Sequence, residues 1–240
     1  MVAAAIPVEL SGVERLGRFS KSGGPDIKYI MGDVHGLDVA LVVSGIGENM
    51  AYGAATRMLA ALSPRAYISV GLSAALSAGL KPGDVVVGTS TTSISSGISY
   101  ESDKHLIERA RGSLAGCGMC GFGPLVASPH VVVGASDKAA VAARWGGMAL
   151  DMESAGAARA AQEAGVPFIA VRAISDRFEE DLPVDFNLFT RDGGMDWPGL
   201  ILHILTHPRK IPPLMRLGRQ SGLAARNLAG AVEKLLAGLA

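Results

Sequence analysis

Cysteine is nearly absent from this chain: Cys117 and Cys120 are the only two in 240 residues. A disulfide-stapled secreted fold is thereby excluded. One C-x-x-C supplies at most half of a zinc site, because no second cysteine pair exists. Both are read as reduced, structural thiols. Aromatic residues are scarce at 5%, so a platform for stacking nucleic-acid bases is missing. Lys+Arg 22 balances Asp+Glu 22, which removes the basic footprint of a nucleic-acid binder. No apolar run reaches the roughly 18–20 residues of a membrane span. Met1 to Leu10 lacks the positive start of a signal peptide, so a cytoplasmic location is expected. His203 and His207 share helical spacing, but Pro208 interrupts it and no further ligand follows, so no metal is expected. Gly45-Ile46-Gly47 is not a dinucleotide fingerprint, since Met50 stands where the third glycine belongs.

What is present is an apolar chain, 49% hydrophobic and 18% charged, read as one domain over 1–240. β-like runs at Val2–Ile6, Ile27–Met31 and Val39–Val43 come first, the last two separated by a turn at His35-Gly36. A polar stretch follows Glu9. Ala51–Leu62 reads as a helix ended by Ser63-Pro64. Strands are expected at Ala66–Val70, Val85–Val87, Leu125–Val133 and Val166–Ile174. Thr89–Ser99 reads as a loop or polar strand. Helices are expected at Asp103–Leu114, capped by Ser102, at Asp137–Arg144 and at Leu150–Ala164. Phe178–Asp196 is acidic and irregular, and residues 207–240 form a basic, amphipathic tail with helical spacing over Ala224–Leu239. Strands alternating with helices imply a three-layer αβα sandwich around a central mixed, mostly parallel sheet.

Two segments carry the chemistry: Leu150-Asp151-Met152-Glu153-Ser154-Ala155 and Val171-Arg172-Ala173-Ile174-Ser175-Asp176. The second ends an apolar strand on an acid, and ligands of open α/β sheets sit at the carboxyl ends of strands. One acid can accept two sugar hydroxyls while the other protonates a leaving base. Asp176 serves as general acid if burial lifts its pKa toward neutrality, with Ser175 orienting it. Glu153 serves as the hydroxyl clamp, with Met152 packed on the sugar face.

Together with Val42–Gly47, Gly83–Val87 and Leu125–Ser128 in the same order, these segments resemble the nucleoside phosphorylase superfamily, in its methylthioadenosine/S-adenosylhomocysteine nucleosidase branch. The resemblance covers about the first three-quarters of the chain. It implies cleavage of an N-ribosidic bond with release of adenine, Glu9 orienting the nucleophile and Arg172 beside it. It also implies a homo-oligomer. Water and inorganic phosphate both stay open as nucleophile, and no other cofactor is implied. The family's G-S-A-G-G loop is Gly71-Leu72-Ser73-Ala74-Ala75 here, and Val132 with Val133 stands where an aromatic usually stacks on the purine. Gly71, Ser73 and Gly47 are expected against the substrate. The segment Thr89–Asp103 is shorter than in the bacterial methylthioadenosine enzymes. Pro208-Arg209-Lys210-Ile211-Pro212-Pro213-Leu214 before an alanine-rich helix resembles the hopanoid-associated phosphorylases. That subgroup resemblance implies adenosylhopane as substrate and contact of 207–240 with the inner membrane face. Methylthioadenosine or S-adenosylhomocysteine cleavage, a purine nucleoside phosphorylase, a non-catalytic nucleoside-binding protein, and a peripheral lipid-binding module are the alternatives.

Overall fold

The computed structural model describes residues 1–23, 29–116, 120–191 and 194–240. Cys117 and the start of the expected strand Ile27–Met31 lie outside the described residues. In chain order the elements are β1 (Val2–Ala4), α1 (Pro7–Glu14), β2 (Arg18–Ser22), β3 (Tyr29–Val34), β4 (Leu37–Val43) and α2 (Glu48–Leu62). Then come β5 (Tyr67–Ala75), β6 (Val85–Ser93), β7 (Ser99–Glu101), α3 (Lys104–Ser113), β8 (Cys120–Ala127), α4 (Ala135–Trp145), β9 (Ala149–Asp151), α5 (Ser154–Glu163) and β10 (Phe168–Asp176). A short hairpin, β11 (Thr190–Arg191) with β12 (Gly194–Met195), precedes α6 (Trp197–Thr206) and α7 (Ile211–Leu239).

Ten strands form one mixed sheet. The α/β class with a central mixed sheet is as the sequence implies, and its two longest ladders, β5–β10 and β6–β8, are parallel. Parallel pairs (β1–β4, β1–β5, β5–β10, β6–β8, β8–β9) are matched in number by antiparallel ones (β2–β3, β3–β4, β5–β9, β6–β7, β6–β10). The reason is local. The tight turn at His35-Gly36, both at positive φ, folds β3 back on β4, as a two-residue hairpin turn requires. The sheet also closes on itself. Nine-residue β5 pairs along one edge with β10 and along the other with β1 and then β9, and β10–β6–β8–β9 completes the ring.

Two apolar layers flank the sheet. On one face Leu10, Val13, Leu106, Ala110 and the buried face of α7 (Ala224, Leu228, Val232, Leu235) pack on Val2, Val70 and Val171. On the other, α2 and α5 pack through Ala55, Met58, Ala157 and Ala161. The alanines let these two helices come close. A Cβ on Gly156 would stand 2.0 Å from the Glu48 carbonyl, so that contact admits only glycine.

Several expected boundaries move: β1 stops at Ala4, and β5 and β6 run on to Ala75 and Ser93. Leu150–Ala164 does not begin as a helix: Ala149–Asp151 is a strand held between β5 and β8, because closing the sheet there outweighs local helix preference. The strand at Leu125 ends at Ala127, not Val133. The cap of α3 is Asp103, whose side chain accepts from the Leu106 N–H at 2.9 Å, while the Ser102 hydroxyl donates to the Gly88 carbonyl.

Candidate active site

β1, β4, β5 and β10 are mutually parallel, so their carboxyl ends meet on one side. The site assembles there. Glu9 comes not from a polar loop but from the first turn of α1, started by Pro7, whose fixed φ suits that position. Its Oε2 accepts the Ile6 N–H at 3.2 Å and its Oε1 the Leu72 N–H at 2.8 Å. Gly71 makes room for this carboxylate, because a Cβ there would lie 3.1 Å from Glu9 Oε1. Burial, the largest influence, raises the Glu9 pKa against the opposing pull of the Leu72 N–H and Arg172.

Glu153 stands at the N-cap position of α5, one residue past the end of a strand-and-turn. Its Oε1 accepts the Gly47 N–H at 2.8 Å. Gly47 has φ 99 and ψ 160, a conformation essentially restricted to glycine, and this geometry aims the N–H at the acid. Loss of bulk water pushes the Glu153 pKa up to about 8, helped by the negative charges of Asp151 and Glu9.

Beneath these acids lies Arg172, 1% exposed. Its Nε donates to Asp151, and its two terminal nitrogens donate to the Ser69 carbonyl and hydroxyl at 2.9 Å each. Asp151 is held in turn by the Ser154 hydroxyl at 2.7 Å and the Ser154 N–H. Burial draws the Arg172 pKa down, but Asp151 and Glu153 draw it up and prevail.

Asp176 ends β10. The β5–β10 register runs Ile174 against Ser73 and then Asp176 against Ala74, so Ser175 is a bulge. Bulges re-aim side chains, and here Ser175 and Asp176, consecutive in sequence, both face one cavity. The Ser175 hydroxyl lies 2.7 Å from Asp176 Oδ1 and 3.1 Å from the Ser73 carbonyl. The other carboxylate oxygen, Oδ2, accepts from Lys138 Nζ.

The cavity has a volume of about 310 Å³ and is lined by Glu9, Ser73, Met152, Glu153, Ser175, Asp176, His130 and Val132. Its cover comes from the irregular segment after β10 and from α7, through Leu182, Phe186, Thr190, Met195, Leu217 and Ser221. Asn187 clamps this cover down: it donates to the Val131 carbonyl and accepts the Val131 N–H, both at 2.8 Å. The Leu182 N–H donates to the Val133 carbonyl, and Asp181 accepts the Ala135 N–H. A larger cavity of about 500 Å³ opens at the other end of β1, near Leu37, Arg65 and Leu239. Among the described residues that line it Asp38 is the one acid, so it does not gather the carboxylates found at the strand ends.

The structure thus brings Glu9, Met152, Glu153, Ser175, Asp176, Ser73 and Val132 together around one cavity. Four expected contacts fall differently. Arg172 does not line the cavity, because Asp151 and Ser69 occupy its guanidinium. Gly71 lies behind Glu9, Gly47 acts through its N–H on Glu153, and the Val133 carbonyl is taken by Leu182. The Ser73 hydroxyl, buried beside the cavity, has no hydrogen-bond partner among the described residues. Two residues escaped sequence reading. Asp151 lay inside a quoted segment but was read as helix. Lys138 gave no signal, since a lysine in an alanine-rich helix reads as solvated. His203 and His207 stack on each other with ring centres 4.3 Å apart.

The model of the Phosphorylase superfamily matches residues 4–196 of the chain. The 5′-methylthioadenosine/S-adenosylhomocysteine nucleosidase of Haemophilus influenzae is 30% identical over 178 residues, covering 64% of this chain and 77% of that protein. The Chromohalobacter salexigens protein of the same name is 29% identical, covering 66% and 75%. Among solved structures, the Neisseria meningitidis nucleosidase in complex with methylthio-immucillin-A superposes with a TM-score of 0.79 at 21% identity, covering 98% of this chain and 97% of that one. The futalosine hydrolase of Helicobacter pylori superposes at 0.77 with 17% identity, covering 98% and 95%.

Proposed function

Because the chain belongs to the phosphorylase superfamily, and because one cavity gathers Glu9, Glu153 and Asp176, we propose that it cleaves the N-ribosidic bond of a 5′-modified adenosine with water as nucleophile. That shared cavity is the observation that carries the reading. It makes the chain an N-glycosidase, as its nucleosidase relatives are by name.

Each group has a role in such a reaction. The C1′–N9 bond breaks with its electron pair leaving on the base, through an oxocarbenium-like sugar. Asp176, as general acid, delivers a proton to the ring nitrogen as the C1′–N9 bond breaks, which makes the base a competent leaving group. Glu153 hydrogen-bonds the ribose hydroxyls, held in place by the Gly47 N–H on its Oε1. Glu9 orients a water, takes its proton as the oxygen bonds to C1′, and leaves ribose and free base as products. Arg172 acts from behind by holding the carboxylates in place.

Water is favoured over phosphate by the charge balance. Glu9, Asp151 and Glu153 surround one guanidinium, and that guanidinium is already engaged. A phosphate dianion beside them would add like charge with no cation left to offset it.

For the 5′ substituent we favour a large apolar group, adenosylhopane, over the methylthio group. Support comes from the cover, where Phe186 and Met195 reach the cavity and belong to an apolar cluster with Val184, Phe189 and Leu200. Beyond it Trp197, Ile201, Leu202, Leu205 and Met215 stand exposed beside Arg209, Lys210 and Arg216, a composition suited to an anionic lipid surface. No helix among the described residues is long and apolar enough to cross a membrane, so such contact would be peripheral.

The test is adenine release, followed by chromatography, from adenosylhopane and from methylthioadenosine, each with and without phosphate. Phosphate-independent release from adenosylhopane alone is the expected result. Rapid release from methylthioadenosine would assign the smaller substrate. A strict phosphate requirement would overturn the role given to Glu9.

A further inference from the structure

Lys138, beside the cavity, has no part in the proposed reaction. Lys138 projects from α4 and is 0% exposed. Its Nζ lies 2.5 Å from Asp176 Oδ2 and 2.8 Å from the carbonyls of both Arg177 and Glu180. An ammonium has three N–H donors, and these three acceptors use all of them. Burying an ammonium costs several kcal/mol unless it is paired and fully hydrogen-bonded. An alanine-rich helix such as α4 could pack here with an apolar residue instead, so the lysine calls for another explanation.

Its three acceptors belong to two different structures. One is the acid at the end of β10. The other two are backbone carbonyls at the start of the segment that covers the cavity. We propose that Lys138 is a positioning residue for base departure: its ammonium fixes Asp176 by one oxygen and pins the beginning of the cavity cover to the same point. This inference rests on the nucleosidase reading above.

The geometry says how the fixing works. With Oδ2 held by Lys138, Oδ1 is the oxygen left for the base. The Ser175 hydroxyl has one hydrogen and two acceptors in reach, Asp176 Oδ1 at 2.7 Å and the Ser73 carbonyl at 3.1 Å. It can therefore turn to Ser73 when a ring nitrogen takes its place on Oδ1, without leaving its own hydrogen unpaired. Lys138 has no such freedom, and the carboxylate stays where the ammonium holds it.

Lys138→Met and Lys138→Gln, compared with Asp176→Asn, test this on two probes. The first is the adenine nucleoside that the unmodified protein turns over. The second is 4-nitrophenyl β-D-ribofuranoside, whose leaving group departs without being protonated. Lys138→Met should lower kcat on the adenine nucleoside about 10²–10³-fold, with KM little changed, and lower the rate on the nitrophenyl riboside less than about fivefold. Lys138→Gln, which keeps a donor for Oδ2, should fall between. A merely structural lysine would slow both probes alike, and that result overturns the proposal. Should Lys138→Met fail to fold, the double variant Lys138→Met/Asp176→Asn removes both buried charges. It should be no slower on the adenine nucleoside than Asp176→Asn alone, whereas a further large loss would show Lys138 acting independently of Asp176. If the unmodified protein releases no adenine from any nucleoside, both readings fall. If it does and Lys138→Met matches it on both probes, this one alone falls.

Discussion

The two ends of the cavity each rest on one buried cation, and the cations are used differently. At the Glu153 end, Arg172 faces Asp151, Glu153 and Glu9, so carboxylates outnumber the guanidinium. At the Asp176 end, Lys138 faces one carboxylate and two neutral carbonyls. The first end crowds three carboxyl groups around one guanidinium, so burial and mutual repulsion raise the Glu9 and Glu153 pKa values. The second is balanced, suited to a base that must leave neutral. An arginine fits the first because its planar fork serves several acceptors at once. A lysine fits the second because a compact ammonium can gather three acceptors around a point.

Breaking the balanced end should have the largest effect on rate. Asp176→Asn is expected to lower kcat about 10²–10⁴-fold while nucleoside binding persists, measured by adenine release alongside calorimetric titration. Full activity in that variant would remove Asp176 from the chemistry. Breaking the crowded end should have the largest effect on stability. Arg172→Met leaves buried carboxylates without their cation, at a cost of about 3–5 kcal/mol, read from the urea midpoint.

A pH series sharpens the contrast. In the fold the Glu153 pKa is raised to about 8 from 4.5. Between these values the folded state holds a proton that the unfolded state has released. The contribution of Glu153 to stability is therefore complete below pH 4.5 and is lost as pH rises to about 8. Glu153→Gln should flatten that decline in a series of denaturation midpoints from pH 4.5 to 8.5, apart from the part owed to Glu9. An unchanged slope would mean that Glu153 does not feel its neighbours. The smallest effect is expected at the cover. Asn187→Ala removes both hydrogen bonds to Val131, each with a net worth of about 0.5–1.5 kcal/mol. It should raise KM several-fold with kcat nearly kept.

Much of this site was legible in the sequence because strand-end chemistry is local. Asp176 ends an apolar strand broken mainly by Arg172, and Glu153 stands beside Met152 at the start of an alanine-rich run. What stayed hidden depends on contacts distant in sequence. Ala149–Asp151 looks helical until β5 and β8 are seen on either side of it. Arg172 looks like a ligand group until Asp151 and Ser69 are seen to occupy it. Lys138 carries no periodic or motif signal, and only the carbonyls of Arg177 and Glu180 reveal its place. The capping of α1 by Glu9 stayed hidden for another reason: Ile6 offers no side-chain cap, and Pro7 reads equally as the stop of the preceding apolar run.

Helix α7 runs unbroken for 29 residues, about 44 Å. Its later half completes the larger core, and its earlier half supplies Leu217 and Ser221 to the cavity. It is also made after every strand of the sheet. During synthesis the ribosome therefore releases all of the acids before the element that covers them and seals the layer below. A nascent chain lacking α7 carries the acids and the cover from Leu182 to Met195 before the last wall of the cavity and the larger core are closed.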